Sequence, residues 1–302
     1  MSRPRIDVVI ATRNRPELLR RAIAGVLAQD VDRDLTCHVV FDQCEPDQGI
    51  AHESPGRSVR VLTNTRSPGL AGARNSGILA GDGDLVAFCD DDDVWAPGKL
   101  AAQVALLDAE GTDCCVTGIT VEYDGHAVDR VPEPHELELA HLARHRVMAA
   151  HPSSVVVRRP ALLGPIGLVD EEIPGSYGED FDWLLRAAEV GRVSVVPRPL
   201  VRVHWGGSQF SRQWQTIVDA IEYSLDKHAV FHRDPHALGR LYGRRAFALA
   251  ALGQRAEARR AVVSTLRVAP REPRAYLAAS VALRMVSAER LLDLAHRRGH
   301  GI

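Results

Sequence analysis

Leu85-Val86-Ala87-Phe88-Cys89-Asp90-Asp91-Asp92-Asp93-Val94-Trp95 decides how this chain is read. The apolar run predicts a buried β-strand, and four carboxylates follow it without a spacer. Two unit charges about 4 Å apart cost about 4 kcal/mol at an effective dielectric of about 20, so folding alone gives little reason to keep such a run. A buried strand that ends in acid places that acid at the carboxyl edge of a sheet, where α/β proteins bind ligands. A divalent cation offsets the repulsion, and Mg²⁺ or Mn²⁺ bridging carboxylates to phosphates suits an all-oxygen donor set. Val94 to Pro97 predicts the start of a helix, with Asp93 as its expected N-cap.

Outward from this run the pattern alternates. Ile6 to Ile10, Val39 to Phe41 and Val59 to Leu62 read as strands. Pro16 to Gln29 and Leu70 to Leu79 read as helices, the first opened by a proline suited to its first turn. This rhythm predicts an α/β sheet with parallel strands. Further on, Pro97 to Glu110 and Phe181 to Val190 are expected helices. Val116 to Tyr123 and Ser154 to Val157 are expected strands, and Val193 to Val203 is an expected strand pair broken by Pro197 and Pro199.

The 302 residues allow one large domain or two ordinary ones, and 45% hydrophobic with 25% charged content is that of a soluble globular protein. A net charge of −2 gives no global sign of nucleic-acid binding. Five cysteines, an odd number without zinc-site spacing, read as reduced thiols of a cytoplasmic protein. There is neither a signal-peptide pattern nor an apolar stretch long enough to span a membrane.

Several ordered motifs resemble those of a family 2 glycosyltransferase with the GT-A fold, over about Ile6 to Ser211. They are Val8 to Asn14, Asn64 to Leu70, Ala73-Arg74-Asn75, Asp90 to Trp95, and Gly178-Glu179-Asp180. Each is weak alone; their order and spacing are specific. The resemblance implies a mixed, mostly parallel sheet carrying a nucleotide-diphospho-sugar over its strands' carboxyl ends. It implies a divalent metal and direct displacement with inversion, the sugar passing from a UDP- or dTDP-sugar to a hydroxyl acceptor such as a glycan, glycolipid or natural product.

The same resemblance distributes roles. Asp92 is the implied metal ligand, with His204 as a second, and Asp90 and Asp91 face ribose or metal-bound water. Ala11, Thr12 and Arg13 grip the nucleoside and phosphate, and Arg74 contacts the donor. Asp42-Gln43 stands where family members often carry two adjacent acids, one of which reads uracil. Gln43 therefore leaves uracil and thymine open and guanine compatible. Asp180 is the implied general base, with Glu179, His151 and Trp205 toward the acceptor. Trp183 reads as core. One base suffices for inverting transfer, because no covalent intermediate forms.

Two other classes compete. A sugar-1-phosphate nucleotidylyltransferase wants a glycine-rich loop after the first strand, and Ala11 to Pro16 supplies none. A non-catalytic scaffold has no use for both Asp92 and Asp180.

Charge and composition change near residue 215, which divides the chain into an expected GT-A domain (1–215) and a basic α-helical extension (216–302). From Arg240 onward thirteen arginines face only Glu257, Glu272, Glu289 and Asp293. Leu241 to Arg267 resembles one helix hairpin of a tetratricopeptide repeat, which must pack on the catalytic domain, on a second subunit of a homodimer, or on a partner. Its arginines read most simply as a solvated face, and more sharply as a peripheral contact with anionic lipid at the inner membrane surface.

Overall fold

The computed structural model describes residues 5–123, 125–204 and 213–297. They divide into two compact units. The first comprises Met1–Leu142, Val147–Glu171 and Glu179–Gly207; the second comprises Ala143–Arg146, Glu172–Gly178 and Ser208–Ile302.

The first unit is built on one mixed sheet. Its strands are β1 (Arg5–Thr12), β2 (Asp34–Phe41), β3 (His52–Ser54), β4 (Arg57–Thr63), β5 (Leu85–Phe88), β6 (Val94–Trp95), β7 (Cys114–Tyr123), β8 (His126–Arg130), β9 (Val156–Arg158) and β10 (Val193–His204). They lie in the order β3-β4-β2-β1-β5-β9-β7-β10-β6, with β8 paired to β7. The long ladders β4-β2-β1-β5 and β7-β10 are parallel, and the short strands β3, β6, β8 and β9 pair antiparallel.

The helices of this part of the chain are α1 (Pro16–Leu27), α2 (Leu70–Ala80), α3 (Lys99–Glu110), α4 (Leu139–Arg144), α5 (Arg159–Leu163) and α6 (Glu179–Val190). Strand periodicity divides β1 between two faces. Ile6, Val8 and Ile10 join a core with Leu19, Ile23 and Val26 of α1 and Leu100, Val104 and Leu107 of α3. Val9 faces α2, which lies so close at Gly77 that an added Cβ would stand 2.5 Å from Val9 Cγ1. Parallel pairing of β1 with β5 brings Thr12 and the four aspartates to one sheet edge.

Two expectations are corrected here. No helix starts at Asp93: Val94 and Trp95 form β6 against Arg202 and Val201, and α3 begins at Lys99 after Gly98 in the left-handed region (φ 76°). Asp93 is instead buried. Val193 to Val203 is a single strand, whose register against β7 shifts on either side of Pro199. A proline lacks the N–H that a ladder needs, so the strand bulges there without ending. All five cysteines are free thiols, four of them buried.

The second unit is helical: α7 (Trp214–Lys227), α8 (Pro235–Ala251), α9 (Arg255–Val268), α10 (Pro273–Ala282) and α11 (Ala288–Arg297). Asp234 caps α8 by accepting from the amides of His236 and Ala237. α8 and α9 form a helical hairpin around Gly253, whose φ of 77° suits glycine. Small side chains let its helices approach closely; Ala246, Ala248, Ala258, Ala275 and Ala278 are all buried. Arg240 departs from the solvated face expected of the tail, with only 8% of its surface exposed. No described helix is long and apolar enough to cross a membrane.

Candidate active site at the carboxyl edge of the sheet

The four aspartates take four different environments. Asp90 accepts from Arg74 Nη2 at 2.7 Å. Asp91 is buried and accepts from Thr12 Oγ1 at 2.7 Å and Arg15 Nη1 at 3.1 Å. Asp92 accepts from the same Arg15 nitrogen at 2.7 Å. Asp93 accepts from Ser153 Oγ at 2.5 Å, and Ser153 Oγ also receives the Asp90 amide at 2.9 Å. The run is therefore neutralised in part by two arginines and held in part by one serine.

Burial raises the Asp91 and Asp92 carboxyls above the usual range, and for Asp92 the Asp90 charge adds to it, while Arg15 works against both shifts. Asp93 is pushed well up by burial and by Asp90, against the pull of Ser153. Burial in this position disfavours the charged form of the carboxyl.

Arg74 is the hinge of the site. It is buried on α2 and forms ion pairs with both Asp90 and Glu179. This single guanidinium ties the acidic run to the first turn of α6, where Glu179 and Asp180 lie. Burial raises Glu179 to about 7, the pull of Arg74 being outweighed once Asp180 and Asp90 add their charges. A concave pocket is lined by Arg74, Glu179, Asp180, Pro152, Phe88 and Trp183. Asp180 is half-buried in its wall. Trp183 is core, as expected; its ring meets Phe88 edge-on at 5.9 Å and its Nε1 donates to Gly167 O at 3.1 Å.

The rest of the expected donor side is arranged unevenly. Ala11 and Thr12 end β1 beside Asp91. Arg13 is exposed, and its charge bears on Asp42. Asp42 accepts from Asn64 Nδ2 and Gln43 Nε2, each at 2.8 Å, and from the Gly69 amide at 3.1 Å. Burial works to raise its pKa, yet these bonds hold it below the usual range. Gln43 adopts φ 53° and turns its amide back onto Asp42.

Among the described residues, metal-ligating atoms gather at Asp90, Asp93 and His151. His151 Nδ1 lies 3.3 Å from Asp93 Oδ2 and its Nε2 lies 3.9 Å from Asp90 Oδ2. Asp92 and His204 do not belong to that group; His204 is exposed at the end of β10. Trp205, expected at the acceptor, lies outside the described residues.

Sequence reasoning missed Arg15 and Glu171 as site residues, and read Ser153 with His151 as acceptor wall, not as a partner of Asp93. Asn14 at φ 56° turns the chain after β1, which separates the directions of Arg13 and Arg15. Asn75 donates to Val169 O at 2.8 Å and accepts from Val169 N at 3.0 Å, and it reaches Glu171 at 2.6 Å. Glu171 also accepts from Arg66 and the Ser67 amide; these bonds overcome its burial and bring it to about 2. The loop before α2 is thus tied down by a carboxylate distant in sequence.

Known proteins share this framework. Residues 7–162 match the model of glycosyl transferase family 2. The succinoglycan biosynthesis protein ExoO of Rhizobium meliloti (strain 1021) is 32% identical over 159 residues, which is 51% of this chain and 44% of that protein. The chain thus spans less than half the length of this relative. S. aureus TarS 1-349, solved in complex with UDP-GlcNAc, superposes with a TM-score of 0.60 at 17% identity, covering 98% of this chain and 92% of the other. The mannosyltransferase PcManGT from Pyrobaculum calidifontis, solved with GDP-Man and Mn²⁺, gives a TM-score of 0.57 at 20% identity, covering 96% and 83%. These structures share the GT-A fold. With more than half its length matched by the family model, the chain is a member of glycosyl transferase family 2.

Proposed function

We propose that the chain transfers a sugar from a nucleotide-diphospho-sugar to a hydroxyl acceptor, with inversion, in a metal-dependent reaction. The observation that carries this reading is Arg74, which joins the acidic run through Asp90 to the α6 turn bearing Asp180. Arg74, which pairs with Asp90, and the candidate base Asp180 line one pocket.

The donor set suits a hard or borderline divalent ion such as Mg²⁺ or Mn²⁺, being carboxylate oxygen with imidazole in reach. Asp92 would hold it, assisted by His204 or by Asp90 with His151; Asp93, whose carboxylate oxygen already accepts from Ser153, is the weakest candidate. A bound divalent ion supplies charge neutralisation to the diphosphate leaving group. Arg74 is placed to steady the donor, and Thr12 orients Asp91 on the nucleotide side. Asp180 takes the proton of the acceptor hydroxyl, while Glu179, held by Arg74, positions the acceptor. The mannosyltransferase complex with GDP-Man and Mn²⁺ and the TarS complex with UDP-GlcNAc support a nucleotide-sugar donor. We favour a UDP- or dTDP-sugar.

The test compares wild type, Asp92→Ala and Asp180→Asn by calorimetry with UDP and Mn²⁺ and by donor turnover. Asp92→Ala weakens both donor binding and turnover. Asp180→Asn keeps donor binding and loses transfer by about 10²–10⁴-fold, the usual contribution of a general base. UDP binding by wild type that is indifferent to EDTA overturns the metal assignment.

A further inference from the structure

Glu171 takes no part in the transfer chemistry, yet a chain of hydrogen bonds joins it to the sheet edge. Asn75 on α2 clamps both backbone groups of Val169, and Glu171 follows two residues later. Its carboxylate collects three donors. Oε1 accepts from Arg66 Nε at 2.5 Å and from Asn75 Nδ2 at 2.6 Å, and Oε2 accepts from the Ser67 amide at 3.2 Å. Burial works to raise its pKa, but these donors outweigh burial and bring it to about 2, so Glu171 is ionised at neutral pH.

What Glu171 holds is the turn between β4 and α2. Inside that turn Asn64 Nδ2 donates to Ser67 O at 2.9 Å and to Asp42 Oδ1 at 2.8 Å, while Asn64 Oδ1 accepts from the Arg66 amide at 2.9 Å. The turn is pressed onto α2, since a Cβ added at Gly72 would stand 2.0 Å from Ser67 O. At its far end Gly69, with φ 121°, aims its amide between the two oxygens of Asp42, 3.1 Å from each. The Asp42 amide in turn donates to Thr12 O at 3.0 Å. The orientation of the Asp42 carboxylate is therefore set by a turn that Glu171 anchors from outside.

Strand order gives this turn its place in the site. β4, β2, β1 and β5 are neighbours and run parallel, so Asn64, Asp42, Thr12 and the acidic run leave the sheet at one edge. The acidic run after β5 lies two strands from Asp42 after β2, about 10 Å at the usual strand spacing. A diphosphate at the acidic run thus leaves its nucleoside to reach toward Asp42 and the turn. We infer that Glu171 is a positioning residue for the nucleoside end of the donor: it fixes the turn of residues 64–69 and, through it, Asp42. This role rests on the sheet edge being a nucleotide-sugar site, and it adds a residue more than 100 positions from that turn in sequence.

The test compares two ligands on the full chain by calorimetry with Mg²⁺: UDP, which carries the nucleoside, and inorganic pyrophosphate, which does not. Glu171→Gln is expected to weaken UDP by about tenfold, the scale of one charge-assisted contact, and to leave pyrophosphate unchanged. Removing a negative charge by itself favours an anionic ligand, so weaker UDP binding reports the turn and not the charge. A general loss of folding lowers both affinities together and leaves their ratio alone. Arg66→Gln loosens the same turn from its other side. The Arg66 side chain is 40% exposed, so this variant folds and decides the matter should Glu171→Gln misfold. It is expected to shift the ratio in the same direction by a smaller factor. An unchanged ratio of UDP to pyrophosphate affinity in the folded variants overturns the positioning role. Wild type that binds pyrophosphate but not UDP, or neither, overturns the nucleotide-sugar reading itself and the role with it, an outcome distinct from the first because it appears before any substitution is made.

Discussion

Arg15 Nη1 lies 2.7 Å from Asp92 Oδ2, and the same nitrogen lies 3.1 Å from Asp91 Oδ1. The carboxylate proposed to hold a metal thus already has a cation, supplied by the chain. Metal and guanidinium compete for one charge, so metal entry requires Arg15 to give up Asp92. Arg15→Gln removes the competitor and exposes Asp91 and Asp92 to the repulsion of Asp90. The variant is expected to be less stable by about 1 kcal/mol without metal, the scale of a partly exposed pair. It is also expected to gain more from Mn²⁺ than wild type gains. Thermal melts with and without Mn²⁺ check this; an equal or smaller Mn²⁺ shift in the variant refutes the competition.

Arg74 holds Glu179 and Asp90 at once from a buried position on α2. Removing one partner of a buried pair leaves a charge without compensation and costs about 3–5 kcal/mol. Arg74→Met is expected to lose that much in urea denaturation. Arg74→Lys keeps the charge but presents one ammonium in place of a fork, so it reaches only one partner well and loses an intermediate amount. Indistinguishable midpoints for Lys and Met would show that charge alone, without the fork, accounts for little.

The contrast between Arg74 and Arg15 shows how far the sequence was legible. Apolar runs such as Leu85 to Phe88 announce strands because burial demands them, and the motif order carried the fold. Arg74, Asp90, Glu179 and Asp180 were found through motifs; Arg74, Glu179 and Asp180 line one pocket, and Asp90 joins them through its ion pair with Arg74. Arg15 was hidden because Asn14 in a left-handed conformation sets its direction, and single-residue φ is not written in periodicity. Asp93 was read as a helix cap because the two-residue strand Val94–Trp95 is too short for any pattern. Glu171 and Ser153 act through pairings far apart in sequence, 96 and 60 residues from Asn75 and Asp93 respectively. Arg240 looked like solvated charge because composition cannot show which face of α8 is covered.

Gly77 measures how tightly α2 must sit on β1. A methyl at this position would lie 2.5 Å from Val9 Cγ1 and 3.1 Å from Val40 Cγ2, both in the sheet. Neither neighbour has open space to move into, so Gly77→Ala is overpacked in spite of alanine's better helix propensity. The expected loss is about 1–3 kcal/mol. Arg74 sits one turn earlier on α2, so the lifted helix is also expected to weaken UDP–Mn²⁺ binding. A variant as stable as wild type would mean that the helix shifts freely, contrary to the packing described.

Lys99 is one of only two lysines in the chain, and it is fully buried. Its Nζ has no hydrogen-bond partner among the described residues and stands 3.9 Å from the centroid of the Trp95 ring. Burial lowers its pKa from 10.5 to about 7. Between those two values the unfolded chain binds a proton that the native protein does not, so stability rises with pH across the window. Equivalently, stability is lost as pH falls from 10.5 toward 7, and below about 7 both states are protonated and the loss is complete. At about 1.4 kcal/mol per pKa unit the full effect is roughly 4–5 kcal/mol. Lys99→Met keeps the length of the side chain and removes the ionisation. It is expected to be more stable than wild type at pH 7, with the gap closing toward pH 10. Urea denaturation of both proteins across that range checks it. A difference in stability that does not vary with pH would show that Lys99 is not titrating, and the buried amine would then have to keep one protonation state in both folded and unfolded chains.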